Sequence, residues 1–151
     1  MQHEVDIAII GAGPAGAALA SALAGAYRVL LIDRWEKPPQ KIGESLIPAA
    51  RRLLRDLHLL DAVAARGYPD YVGNRSYWGS VTAETRDFIR DPDGLGWHLD
   101  REDFDLMLRQ EAVRRGAHLL APARLGEVVR DGGRWSVSAD TRDGTHTVRS
   151  R

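Results

Sequence analysis

The sequence contains no cysteine, which excludes disulfide bonds, thiolate catalysis and metal sites built on cysteine. Lysine is almost absent too, because every basic residue except Lys37 and Lys41 is an arginine. Acidic and basic residues balance at 21 each, and this neutrality gives no support for a nucleic-acid partner or an anionic membrane surface. The five histidines lack the spacing of metal ligands, so we predict no metal site.

An uncharged stretch at residues 7–26, IAIIGAGPAGAALASALAGA, resembles a membrane span or a signal peptide at first sight. Glu4 and Asp6 precede it, where a signal peptide would carry Lys or Arg. Ala and Gly dominate the stretch and GPAG interrupts it, unlike the apolar run of a transmembrane helix. We therefore expect a buried strand, a turn and a helix there, no membrane span, and a cytoplasmic protein.

The apolar pattern predicts an α/β fold of the Rossmann type. A strand at 5–10, a helix of small residues at 14–25 and a second strand at 28–32 would form a βαβ unit. Further helices are predicted at 48–60 and 101–115, a third parallel strand at 117–120, other strands at 75–81, 85–90 and 96–99, and a β-meander at 124–130, 134–139 and 145–149.

The chain length of 151 residues suits one domain. Within it, 68–99 would begin a β-rich substrate region and 123–149 would be the β-meander. The last meander strand has no later strand to pair with, which predicts an exposed sheet edge. We therefore expect the sequence to be part of a longer protein and the isolated chain to be marginally folded.

The string GAGPAG carries the GxGxxG spacing of dinucleotide-binding turns. Gly11 would allow the tight turn, Gly13 the close approach of the backbone to a pyrophosphate, and Gly16 the close packing of helix on strand. Pro14 and Ala15 open the helix, whose N-terminal N–H groups attract phosphate. The alternative is a glycine-rich turn without a ligand, and the surrounding strand–turn–helix–strand pattern disfavours it.

Asp33 ends the second predicted strand, where an acid accepts hydrogen bonds from the ribose hydroxyls of a dinucleotide. It would repel the 2′-phosphate of NADP, so the pattern favours FAD or NAD. Arg34 would then lie along the adenine, although a solvated loop charge explains it equally well.

The string KIGESLIPAA follows in the next loop. Glu44 and Ser45 suit a helix N-terminus and Pro48 suits its first turn, so a helix is predicted to begin there. Capping does not account for Gly43. Arg101 is the first residue of the helix predicted at 101–115. It is either a solvated residue that follows an Asp100 cap or part of a binding site.

Four motifs occur in the order typical of one family: DIAIIGAGPAG, D-R after the second strand, GES before a predicted helix, and LDREDFD at 99–105. Together they resemble the flavin-dependent monooxygenase and halogenase superfamily, with the p-hydroxybenzoate hydroxylase type of FAD fold. The form GESxxP is most similar to its tryptophan-halogenase-like branch. The resemblance implies FAD as cofactor, with Gly43, Glu44 and Ser45 close to the flavin and Arg101 reaching the FAD. It also implies that residues 1–151 are the N-terminal portion of an FAD-binding domain.

The halogenases of this superfamily carry a catalytic lysine downstream of the GE motif. Residues 68–90 contain no lysine. Arg75 and Arg86 are poor substitutes, because a guanidinium stays protonated and differs in shape from an ammonium group. This departure disfavours halogenation and favours hydroxylation, which needs no such lysine.

The resemblance therefore implies an FAD-dependent oxidoreductase, in first place a monooxygenase of an aromatic or electron-rich substrate, either a small molecule or a protein-bound side chain. NAD(P)H or a separate flavin reductase would supply electrons, and no catalytic acid or base is assigned. An aromatic cluster, either core or site lining, is formed by Tyr68, Tyr71, Tyr77 and Trp78. Halogenase, geranylgeranyl-reductase-like enzyme and inactive truncated fragment remain as alternatives.

Overall fold

The computed structural model describes residues 1–79 and 81–151. They divide into two compact units, one formed by Met1–Gln40 with Glu102–Arg151 and the other by Lys41–Arg101. In chain order the elements are β1 (Gln2–Glu4), β2 (Ile7–Ile10), α1 (Pro14–Leu23), β3 (Val29–Ile32), β4 (Glu44–Leu46), α2 (Ala50–Asp56), α3 (Leu60–Ala64), β5 (Asp70–Tyr71), β6 (Gly73–Ser76), β7 (Glu84–Asp87), β8 (Gly96–Leu99), α4 (Arg101–Arg114), β9 (His118–Leu120), β10 (Arg124–Asp131), β11 (Arg134–Thr141) and β12 (Gly144–Ser150).

A parallel sheet forms the centre of the first unit, in the order β2-β3-β9. All of β3 is buried because it is hydrogen-bonded on both sides, which explains its uninterrupted run VLLI. Helix α1 begins at Pro14, a residue that suits a first helical turn, and buries Ala17 and Ala20. The predicted βαβ unit and the third parallel strand are confirmed, and the mixed α/β architecture is that of a Rossmann-type domain.

A second sheet in this unit has the order β1-β12-β11-β10. The predicted meander is therefore confirmed, but its predicted unpaired last strand is wrong. Strand β12 pairs with β11 on one side and in parallel with β1 on the other, for example at His3 opposite Val148. The N-terminal residues thus cover the edge that the sequence order left open.

The second unit is built on an antiparallel sheet, β4-β8-β5, and a separate hairpin, β6-β7. The helix N-terminus predicted at Glu44 and Ser45 is wrong, since Glu44–Leu46 is a strand paired with β8. The predicted helix 48–60 is two short helices, α2 and α3. The strand predicted at 75–81 ends earlier, at Ser76, and its position 80 lies outside the described residues. The assignment of 68–99 to a substrate region stays a prediction.

Within the part of the chain that the structure describes, no helix is both long enough and apolar enough to cross a membrane.

Candidate functional site

The loop between β2 and α1 has the geometry that its glycines predict. Gly11 adopts a positive φ of 97°, which favours glycine, and its N–H donates to the carbonyl of Ile32 at 2.8 Å. A Cβ at Gly16 would overlap the carbonyl oxygen of Gly11. Gly16 therefore lets α1 pack directly on the turn.

Gly13 and the first turn of α1 leave the N-terminus of this helix accessible. A Cβ at Gly13 would meet no atom within 4 Å, so this backbone is accessible. Gly13 is the N-cap of α1 without a side-chain cap, and the first turn carries no acid. The helix N-terminus, with Pro14 and Ala15 as its first residues, thus keeps donors and partial positive charge for a phosphate.

Asp33 lies beside this loop and is only 11% exposed. Its Oδ2 accepts a hydrogen bond from the Ala12 N–H at 2.7 Å, and its Oδ1 accepts one from the Trp35 N–H at 2.8 Å. Its carboxylate therefore ties the glycine loop to the end of β3. The predicted contact with a ribose stays a prediction.

Arg109 completes this arrangement, and the sequence analysis missed it. Its side chain is 5% exposed and its Nη2 lies 3.2 Å from Oδ1 of Asp33. Helical spacing could have revealed it, because a charge at 109 falls one turn after Asp105 beside buried Leu108 and Ala112. A charged side chain on a buried helix face needs a partner, and here the partner is Asp33.

A cleft of about 610 Å³ opens beside Gly11 and Asp33 at the carboxyl ends of β2 and β3. Ligands of parallel α/β sheets bind at this edge. Arg34 and Trp35 line it, and the Arg34 guanidinium lies 5.1 Å from the Trp35 ring centroid. Arg34 is exposed, so its predicted place along an adenine is compatible with the geometry and untested.

In the second unit, the remaining predicted residues gather around the pairing of β4 with β8. Glu44 lies opposite Leu99, and a Cβ at Gly43 would come within 3.2 Å of the Leu99 carbonyl oxygen. The Glu44 carboxylate contacts the Arg101 guanidinium, with 2.5 Å between Oε1 and Nη1.

Ser45 lies opposite His98 in the same pair of strands, and their Oγ and Nδ1 atoms are 2.8 Å apart. His98 is exposed whereas its neighbours Trp97 and Leu99 are buried, as the alternation of side chains along a strand requires. Of the predicted aromatic cluster, Tyr71 packs against Phe88 and His98, while Tyr77 and Trp78 are exposed.

A glycine loop, a helix N-terminus and an acid at the end of the second parallel strand define a dinucleotide-binding domain of the Rossmann type. Residues 4–151 match the family described as FAD binding domain, and the chain belongs to this family. FAD is accordingly its cofactor.

Its relatives include halogenases. The chain is 32% identical over 147 residues to the 1H-pyrrole-2-carbonyl-[peptidyl-carrier protein] brominase of Pseudoalteromonas luteoviolacea, covering 97% of this chain and 36% of that protein. The structure superposes on the myxobacterial chondrochloren halogenase with a TM-score of 0.86 and 31% identity, over 98% of this chain and 36% of that one. The anhydrotetracycline hydroxylase of Streptomyces rimosus shares the fold, with a TM-score of 0.82, 22% identity, and 97% and 30% coverage of the two chains. The chain thus spans about a third of the length of these proteins.

The residues of the first unit fit the adenosine diphosphate half of FAD. Gly13 leaves its backbone open where a pyrophosphate would approach, and the uncapped turn of α1 supplies donors. The cleft beside Asp33 has room for an adenosine, since its volume lies within the range of small-molecule sites. The donor set therefore agrees with the cofactor that the family uses.

Proposed function

We propose that the protein that carries this chain is an FAD-dependent oxidoreductase, in first place a monooxygenase of an aromatic or electron-rich substrate. The observation that carries the proposal is the open Gly13 backbone at the uncapped N-terminus of α1, beside Asp33. When bound, FAD would supply the oxygen chemistry, and the chain would supply binding and orientation.

Each residue has a proposed task. The Gly13 backbone and the first turn of α1, with Pro14 and Ala15, would hold the pyrophosphate. Asp33 would accept from a ribose hydroxyl, and Arg34 would cover the adenine. By the resemblance to flavin-dependent monooxygenases and halogenases, the residues around the β4–β8 pairing would lie toward the flavin. These residues are Gly43, Glu44, Ser45 and Arg101.

Halogenation is the second candidate. The names of the relatives favour it, because brominases and other halogenases match over most of this chain. The sequence has no lysine after Lys41. This favours monooxygenation, since the halogenases that the chain resembles depend on a catalytic lysine in that region. Arg75, an exposed residue of strand β6, keeps its charge permanently and cannot give up a proton as an ammonium group can.

The identity of the substrate also belongs to the proposal. One relative is named for a pyrrole carried on a peptidyl-carrier protein, which supports a substrate that is either a small aromatic molecule or one tethered to a protein. We propose NAD(P)H or a separate flavin reductase as the electron source, and a cytoplasmic location.

The experiment is to purify the protein, titrate it with FAD and then supply reduced flavin, oxygen and either chloride or bromide. Products from free and carrier-bound pyrrole, indole and phenol substrates are analysed by mass spectrometry. The expected result is saturable FAD binding and a product that gains one oxygen atom whether or not halide is present. A halogen isotope pattern would replace monooxygenation by the second candidate, and absence of FAD binding would refute both.

A further inference from the structure

We propose that Arg109 is a positioning residue for the adenosine diphosphate half of FAD, acting through the Ala12–Gly13 peptide and through Asp33. The inference rests on the proposed FAD site and deepens it. Arg109 lies on α4, far along the chain from the glycine loop, and is not part of the GxGxxG pattern.

The guanidinium of Arg109 bridges two loops. Its Nε donates to the carbonyl oxygen of Ala12 at 2.7 Å, and its Nη1 donates to the carbonyl oxygen of Trp35 at 2.9 Å. Its Nη2 lies 3.2 Å from Asp33. The rigid planar fork of a guanidinium fixes all three partners in one geometry, which a lysine could not do.

The contact to Ala12 determines where the Gly13 N–H points. The carbonyl of Ala12 and the N–H of Gly13 belong to one peptide group, and in a trans peptide they point in opposite directions. Because Arg109 holds the carbonyl on its own side, the Gly13 N–H is turned away from Arg109. This is the donor that the second glycine of the motif offers to a pyrophosphate.

The contact to Asp33 determines which acceptor positions remain. A carboxylate offers about four lone-pair positions. The N–H groups of Ala12 and Trp35 and the Arg109 guanidinium account for three contacts. Asp33 is thereby fixed and charge-compensated, and it retains capacity for one ribose hydroxyl.

The test compares wild type with Arg109→Leu, Arg109→Lys and the control Arg114→Leu. Arg114 lies on the same helix but is 67% exposed and paired only with Glu111 among the ion pairs of the described residues. FAD affinity is measured by flavin fluorescence. Displacement of FAD by ADP and by 2′-deoxy-ADP then measures how strongly each protein recognises the ribose hydroxyl.

We expect Arg109→Leu to weaken FAD binding by about 10- to 100-fold, since charge-assisted contacts that orient the site are lost. Arg109→Lys should recover part of this loss, and Arg114→Leu should bind as wild type. In the Leu variant the preference for ADP over 2′-deoxy-ADP should shrink, which a role in stability alone would not change.

Circular dichroism and the unfolding temperature establish whether each variant is folded. If Arg109→Leu does not fold, the same two measurements of FAD affinity and ADP preference are made on Arg109→Lys. Unchanged FAD affinity in a folded Arg109→Leu protein overturns the inference. So does weakened binding with an unchanged preference for ADP, because Arg109 would then be a scaffold residue. If wild type itself fails to bind FAD, the proposed function falls and this inference falls with it.

Discussion

Arg101 and Glu44 form an ion pair in the second unit, with 2.5 Å between Nη1 and Oε1. The two side chains differ in environment, since Arg101 is 10% exposed and Glu44 is 67% exposed. The pair joins the first residue of α4 to the first residue of β4, so two motifs that the sequence analysis treated separately are one structural feature.

We predict that Glu44→Gln lowers the free energy of unfolding by less than about 1 kcal/mol, because an exposed carboxylate contributes little to an ion pair. Arg101→Gln should cost more, since its side chain is buried. If Glu44 orients Arg101 toward FAD, both variants weaken FAD binding and the double variant is no weaker than Arg101→Gln alone. Strictly additive losses of affinity would contradict this coupling.

The second prediction contrasts two glycines of the same loop. Gly13→Val should fold like wild type, because the new side chain meets open space at a φ of −73°. It should nevertheless abolish FAD binding by covering the backbone that a pyrophosphate approaches. Circular dichroism and flavin fluorescence measure the two effects separately.

Gly16→Val is the matched variant. Its side chain would collide with the Gly11 carbonyl, so we expect a destabilisation of about 1–3 kcal/mol or more in urea unfolding. A Gly13→Val protein that binds FAD normally would show that this turn is not the pyrophosphate site. Equal stability of the two variants would contradict the packing role of Gly16.

The central part of the fold was predictable from the sequence because its signals are local. The apolar runs of β2 and β3, the glycine turn and the helix at 101–115 each lie within one short window of sequence. The residues of GxGxxG occupy the loop and helix start that the motif predicts. Asp33 lies beside that loop and accepts a hydrogen bond from the Ala12 N–H within it.

The errors arose where distant pairing overrides local preference. Glu44 and Ser45 are good helix-capping residues, yet pairing with β8, more than fifty positions on at His98, makes this segment a strand. Strand β1 pairs with β12 across nearly the whole chain, and no local pattern indicates that contact. Helical spacing indicates that Arg109 lies on the buried face of α4, but its partners Ala12, Asp33 and Trp35 are distant in sequence and are identified only in the folded structure.

The third prediction concerns halide chemistry and the lack of lysine. Wild type should give no halogenated product, whereas Arg75→Lys places an ammonium group on strand β6, in the interval where halogenases carry theirs. Arg114→Lys on α4 is the control, because Arg114 is also exposed and lies outside residues 68–90. Only Arg75→Lys should show halide-dependent product by mass spectrometry. Halogenation by wild type would prove that this chemistry does not need the lysine.

The last prediction concerns pH and the pairing of β1 with β12. His3 Nε2 lies 2.7 Å from His146 Nδ1, and the two rings stack with centroids 5.0 Å apart. Such a hydrogen bond needs at least one neutral ring, because two imidazolium groups offer no acceptor. The pKa of His3 is lowered from 6.5, chiefly by burial and then by the positive charge of His146, with smaller effects of the N-terminal amine and His118.

A lowered pKa means that the folded state favours neutral His3, so its contribution to stability is complete above pH 6.5 and is lost as pH falls through the lower, folded-state pKa. The free energy of unfolding in urea should therefore fall between pH 8 and pH 5, and it should fall more in wild type than in His3→Gln. His58→Asn is the control, since position 58 has a φ of 53° that Asn tolerates and lies in the second unit. If His3→Gln loses as much stability as wild type between these two pH values, the His3–His146 pair is not the group that titrates.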